Sequence, residues 1–390
     1  MLPAASKMSI AALVVASAAL TFVSRARKSA QIPPRIAVCL RHFAAVSLIA
    51  SLGCETPPPT DSPGVAAASF ELLFDSAAAV RLIESDTAPL ARVSSLSFAE
   101  DGSLVVADGY SGKVRMYDAE GHLIRSLGRP GRGPGEFEQL TAATALPSGS
   151  VCGVDARSSR VTCFAGDDST FTLAFPGTSG LSISAVGDSL VVAMGAGPSE
   201  PQVALLSTRN RPPTSFFSRP ASYDTVPYWG SLHSVLIAPI RNALYVANGL
   251  FYPVRIFDWN GDSIGVIAQP PDEWNPPAVV ERGRFAGPAA RLDLARWLRG
   301  SSVIARLLVV DDSRLVIVRG EYRPDVNRSP AEFFQVYPTT IDVYGLSGQR
   351  IAGAVDPPGT PLYADSLLYV LQGTPPDPWT VVGYRLKQGI

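Results

Sequence analysis

A phrase repeated with variations along the 390-residue chain limits its fold more than any other feature. It first reads Asp101-Gly-Ser-Leu-Val-Val-Ala-Asp108, resumes after four residues as Lys113-Val-Arg-Met-Tyr-Asp118, and closes with Gly121-His-Leu-Ile-Arg-Ser-Leu127. Each unit spells strand, tight turn, strand, turn, strand. Echoes of the Leu-Val-Val-Ala run begin at Leu104, Val151, Leu190, Leu244, Leu315 and Leu367, with spacings of 47, 39, 54, 71 and 52 residues. A partner strand follows each, at 114–117, 160–164, 202–206, 254–257, 340–344 and 380–384. Short runs rich in Val, Ile, Tyr and Phe, bounded by Gly, Asp and Pro, are the grammar of an all-β protein. A solenoid repeats every 20 to 45 residues or so, whereas a four-stranded propeller blade takes roughly 40 to 50. The sequence therefore predicts an all-β, six-bladed β-propeller.

The ends fit a closed ring. The sixth unit stops after Trp379-Thr-Val-Val-Gly-Tyr-Arg-Leu-Lys387, one strand short of a blade, and an unassigned strand-like run stands at 78–84. Placed as the outer strand of blade six, that run joins the two ends of the propeller and removes the exposed edges of an open ring.

Register gives a sharper expectation. Asp108 and Lys113, Asp155 and Arg160, and Asn248 and Pro253 are each separated by four residues, so three hairpins share one geometry. If Asp155 faces Arg160, then Cys152 faces Cys163, close enough for a cross-strand disulfide. Such a short loop would be stabilised by roughly 2–3 kcal/mol. The other reading is two buried thiols packing as small hydrophobes, and the compartment decides between them.

The N-terminal region bears on the compartment. Apolar stretches at 10–23 and 43–53 are each shorter than the roughly 20 residues of a spanning helix. The second follows Arg41-His42, as a signal-peptide core follows its basic region. It ends at Ser51-Leu-Gly-Cys54 and passes into the proline-rich Glu55-Thr-Pro-Pro-Pro-Thr-Asp-Ser-Pro-Gly64. Apolar run, small residue, cysteine and flexible linker together resemble a bacterial lipoprotein signal, with Cys54 as the lipidated residue. Ser51 departs from that pattern, which prefers leucine three places before the cysteine, so an ordinary signal peptide cleaved nearby is the alternative. The leader is long, which fits either translation beginning near Val38 or a first membrane segment at 10–23. Either way the expectation is export, into the periplasm or onto the cell surface of a bacterium, and export favours the disulfide. The expected organisation is a leader at 1–54, a tether rich in Pro, Ser and Ala at 55–77, and a propeller at 78–390.

Composition excludes some partners. The formal charge is −1 and 17% of residues are charged, so there is no basic footprint for nucleic acid. The 34 prolines and 33 glycines fit turns between short strands, since apolar residues still make up 46%.

The stretch Gly128-Arg-Pro-Gly-Arg-Gly-Pro-Gly-Glu-Phe137 resembles the linker of NHL-repeat propellers, as does the Gly-Ser-Leu-Val-Val-Ala-Asp phrase before it. The chain is similar to bacterial six-bladed propellers of that type, often lipoproteins, across 90–165 and again at 240–270. The resemblance implies a structural linker in which the glycines turn the chain and Phe137 wedges between blades, so Arg129, Arg132 and Glu136 are not read as a site.

Candidates for chemistry are sparse. Only His122 and His233 lie beyond the leader, too few for a three-histidine zinc site, and no Gly-x-Ser-x-Gly elbow occurs. Asp108, Asp155 and Asn248 recur at one place in three blades. They are candidate oxygen ligands for Ca2+ or another divalent ion, as in the related six-bladed lactonases. Recurrence also fits turn-capping residues. Non-repeating insertions carry Tyr228, Trp229, Trp274 and Trp297, and the apolar spacing at 286–298 predicts a short helix at one mouth of the ring. These aromatics either stack on a glycan, a small ligand, a peptide or a partner protein, or are buried against the ring. Two functions survive: a lipid-anchored, non-catalytic propeller that binds a ligand or scaffolds a complex, and a divalent-metal-dependent hydrolase or lactonase with oxygen ligands at the channel.

Overall fold

The computed structural model of the chain describes residues 67–389 apart from 85–88, 167–168, 178, 196–200, 210–211, 219–234, 241, 268–269, 279, 281–289, 324–335 and 374–376. Cys54, Tyr228, Trp229 and His233 lie outside the described residues, with the whole leader.

Six antiparallel sheets follow one another. Blade 1 is built from Val93–Phe98, Leu104–Asp108, Lys113–Tyr117 and Leu123–Leu127, and blade 2 from Leu140–Ala145, Val151–Asp155, Arg160–Phe164 and Thr170–Ala174. Blade 3 takes Ser179–Val186, Ser189–Gly195, Pro201–Ser207 and Thr214–Ser218, and blade 4 Val235–Ile240, Ala243–Asn248, Phe251–Phe257 and Ser263–Ile267. Blade 5 has Ser302–Val310, Arg314–Tyr322, Val336–Gly345 and Arg350–Val355, while blade 6 has Thr360–Ala364, Leu368–Gln372 and Thr380–Leu386. The first strand of each blade touches the first strand of the next, and that of blade 6 touches that of blade 1. This is a closed six-bladed β-propeller.

Why the Leu-Val-Val-Ala phrase recurs is now plain. It is the second strand of a blade, covered on both faces by neighbouring blades. Leu104 and Val106 pack into the blade 6/blade 1 interface, while Val105 and Ala107 pack into the blade 1/blade 2 interface. A strand buried on both faces reads as a continuous apolar run rather than an alternating one. Leu190 and Val192 divide from Val191 and Ala193 in the same way. Six hydrophobic clusters, one at each junction of successive blades, form the core.

The ring closes through an N-terminal strand, Phe74–Arg81, which supplies the outermost strand of blade 6 by pairing antiparallel with Thr380–Leu386. This segment runs four residues earlier than the 78–84 expected, and it corrects the tether boundary. Ala68–Ser69 already pairs in parallel with blade 5 at Ala354 and Val355, and a single helical turn, α1 (Phe70–Leu73), links the two strands. Among the described residues the first strand is therefore Ala68–Ser69, inside the stretch expected to be tether. Gly121 completes the closure by accepting a hydrogen bond from Ile83 N–H at 2.8 Å. At φ +88° it occupies left-handed backbone, and a Cβ there would lie 2.0 Å from the Arg81 carbonyl oxygen, so glycine is required twice over.

The hairpin register of blade 2 is the expected one: Asp155 faces Arg160, Val154 faces Val161, and Cys152 faces Cys163. The two cysteines form a disulfide, both fully buried against blade 3. Replacing both by alanine should lower the unfolding free energy by about 2–3 kcal/mol, read from urea denaturation. In the native protein, thiol labelling after addition of reductant should stay near zero until denaturant opens the blade 2/blade 3 interface. Rapid labelling under native conditions would contradict that burial.

The predicted helix is present as α2 (Ala290–Leu298), and the first residues of the expected span, 286–289, lie outside those described. Leu294, Ala295 and Leu298 pack on Leu250, Val303 and Tyr322. Those three stand where blades 4 and 5 open to one mouth of the ring.

Candidate functional site

The innermost strand of every blade lies at the edge of its sheet, with a partner on one side only. Its outer row of backbone N–H and C=O groups therefore faces the ring's axis. Together these strands enclose a central channel of about 2340 Å³. Its wall mixes hydroxyls with small apolar side chains: Ser95, Thr144 and Ser184 against Ala143, Ala238 and Leu307. Tyr110 stands exposed at the mouth where the innermost strands begin.

The three recurring residues proposed as oxygen ligands stand at this mouth but are engaged by the chain itself. Asp108 accepts hydrogen bonds from the backbone N–H of Arg92 at 3.1 Å and from Arg115 Nη2 at 3.0 Å. Asp155 accepts from Glu138 N–H and Gln139 N–H, both at 3.0 Å. Each carboxylate thereby fixes the chain entering the innermost strand of its blade, and an arginine on the third strand adds a second clamp. Arg115 bonds the Pro89 carbonyl at 2.8 Å, and Arg160 bonds those of Arg132 and Glu136 at 2.9 and 2.8 Å. Asn248 uses its side-chain oxygen to accept from Leu250 N–H at 3.0 Å. Among the described residues no three His, Cys, Asp or Glu stand together as a metal-binding group. Asp108 and Asp155 are buried and bonded as loop anchors, a role that recurrence also fits.

Of the aromatic candidates, two are described. Trp274 lies half-buried with its ring edge-on to Tyr252, centroids 5.0 Å apart. Trp297, on α2, is half-buried and donates its indole N–H to the Ala278 carbonyl at 2.7 Å. Trp274 thereby fastens the 270–280 segment to blade 4, and Trp297 fastens it to α2. His122 is exposed and bonds Asp118 at 3.2 Å. The linker before blade 2 is structural as expected. Phe137 is buried between blades 1 and 2, and Glu136 is held below its ordinary carboxylate pKa by the Gly133 N–H and by Arg129.

Sequence reasoning missed a buried charge cluster. Arg319, on the second strand of blade 5, pairs with Asp342 on the third, and Arg350, on the fourth, approaches the same carboxylate at 2.7 Å. Glu273, from the segment after blade 4, lies 3.8 Å from both guanidiniums. Burial works against the Arg319 charge, yet Asp342 holds its pKa above the ordinary arginine value. Beside the cluster, burial pushes the Tyr252 phenol far above its usual range. No local motif announces this group, because its members come from four separated segments.

The chain thus belongs, by fold, to the six-bladed β-propellers. No protein-family model matches it, and no curated protein matches its sequence. Among solved structures it is similar to a Bacteroides fragilis protein thought to be exported, at 11% identity and TM-score 0.53, covering 83% of this chain and 98% of that one. A member of the DUF4221 family from Bacteroides vulgatus is similar at 10% identity and TM-score 0.52, covering 80% and 98%. A gluconolactonase from Xanthomonas campestris aligns at 13% identity over 85% and 100%, with a TM-score of 0.46. At these identities the likeness is one of fold.

Proposed function

We propose that this is an exported, non-catalytic propeller, anchored to a bacterial membrane through lipid on Cys54, whose central channel binds a ligand. The observation that carries the reading is the contrast between the channel and the carboxylates at its mouth. The channel is wide, lined by hydroxyls and by strand edges that have no second strand partner, and suited to holding a small polar molecule. The recurrent carboxylates that a metal-dependent hydrolase would need are bonded to backbone amides instead. The lipoprotein-like run ending at Cys54, the buried disulfide and the NHL-like linker at 128–137 support export and the anchored type.

The test is metal content. The full-length chain, purified in detergent, should carry no stoichiometric calcium, magnesium, manganese or zinc, and its melting temperature should not move on chelation with EDTA. One bound ion per chain, with a melting temperature that falls on chelation and recovers on adding it back, would replace this reading with the metal-dependent hydrolase.

A further inference from the structure

The six innermost strands contain one charged side chain, Arg306. It stands at the middle of Ser302–Val310, halfway down the channel it lines. A β-bulge interrupts the pairing between Ile304 and Arg306, and bulges of this kind re-aim the side chain that follows. Among the described residues its guanidinium makes one hydrogen bond, from Nη1 to the Ala305 carbonyl at 3.0 Å, and no ion pair. The other charged residues that line the channel, Arg92, Glu100, Asp365 and Asp377, all stand outside the innermost strands. Blade 5 lies opposite blade 2 in a six-membered ring, so the strand carrying Arg306 faces the strand carrying Thr144 across the channel.

An arginine in this position is anomalous as a structural residue. Among the described residues the two buried arginines, Arg115 and Arg319, each have a carboxylate within bonding distance, whereas the half-buried Arg306 has none. Arg306 has its surroundings' desolvation and no compensating charge, which lowers its pKa below the ordinary value while leaving it protonated. A cation held this way costs stability unless an anion joins it. The guanidinium fork has four N–H donors left, enough for bidentate contact with an oxyanion.

We infer that Arg306 is an anion-binding residue of the central channel, receiving the oxyanion group of a small polar ligand. The inference rests on the reading of the channel as a binding site and names the charge of its ligand. The oxyanion is a carboxylate, a sulfate or a phosphate, and the arms of the test separate these.

The melting temperature of the full-length protein is followed against acetate, sulfate and phosphate, with chloride keeping the ionic strength constant. Wild type should show a saturable rise of roughly 2–5 °C with at least one of them, and the strongest arm identifies the head group. Arg306→Met should lose that response and melt at or above wild type in chloride. Arg306→Lys should retain part of it, because an ammonium supplies charge without the fork. If Arg306→Met fails to fold, Arg306→Gln serves in its place. A rise that is equal in wild type and variant marks general exclusion of the ion from protein surface and overturns the inference. So does the absence of any rise in wild type. Neither of those results touches the metal measurement, so the binding reading of the channel can survive while the Arg306 assignment falls.

Discussion

Deleting residues 68–83 should leave a chain that no longer reaches a stable monomeric fold. Phe70, Phe74 and Leu82 are all buried. Phe70 stacks on Phe74 with ring centroids 4.7 Å apart and meets Tyr384 edge-on at 4.9 Å, inside the blade 5/blade 6 interface. Leu82 seals the junction of blades 6 and 1. Burying three such side chains stabilises by roughly 1.5–3 kcal/mol each, a sum comparable to the 5–15 kcal/mol or so of net stability in a typical protein. The deletion also removes an eight-residue ladder and leaves Thr380–Leu386 as an open edge ready to pair with another chain. Size-exclusion chromatography should show aggregate, and circular dichroism should show no cooperative melt. Moving the segment to the C-terminus should restore the fold, because Phe74 pairs with Leu386 and Lys387 N–H bonds the Leu73 carbonyl at 3.0 Å. A deletion variant that melts cooperatively as a monomer near the wild-type temperature would refute this account of closure. The single substitution Phe70→Ala should itself lose about 3–5 kcal/mol.

That closure was legible from a deficit: unit six lacks a fourth strand, and a strand-like run stood unassigned ahead of unit one. Its start was misplaced because Phe74-Asp-Ser-Ala-Ala-Ala offers no clear alternation, and its neighbours Ala68 and Ser69 form a two-residue pairing too short to leave a pattern. The blades themselves were legible because their second strands are covered on both faces. The register of blade 2 was legible because hairpin loop length and register are coupled, which is why the opposition of Cys152 and Cys163 could be read from the spacing of Asp155 and Arg160.

The site was less legible, for a physical reason. Side chains that share a channel or an interface in a propeller come from strands tens of residues apart, so no local spacing brings them together. Asp108 and Asp155 were found by their recurrence, but what they bond to, the amides of Arg92 and Gln139, belongs to the chain entering each blade. Arg306 sits in Val303-Ile-Ala-Arg-Leu-Leu-Val309, where one arginine in an apolar run is an ordinary snorkelling residue. It becomes distinctive only once the six innermost strands are identified and compared.

The second large effect is expected at Asp342. Replacing it by alanine leaves the buried Arg319 and the half-buried Arg350 side by side, with Glu273, half in solvent, 3.8 Å from both. Removing one partner of a buried ion pair costs about 3–5 kcal/mol, because the charge left behind loses its buried partner while staying desolvated. Asp342→Ala should therefore lower the melting temperature by on the order of 5–10 °C. Asp342→Asn should fall between it and wild type, since the amide preserves shape and one acceptor but not charge. The informative control is the triple variant Arg319→Met, Asp342→Leu, Arg350→Met, which replaces the whole cluster with apolar side chains of similar size. It should regain most of the loss, because desolvating the cluster offsets much of what its pairing contributes. The measurement is urea denaturation of all four proteins. If the triple variant is as unstable as Asp342→Ala, the cluster contributes net stability to the blade 4/blade 5 junction. If it recovers, the cluster's role is to hold the Glu273-Trp274 segment in one position against the ring, which is a role in specificity rather than in stability.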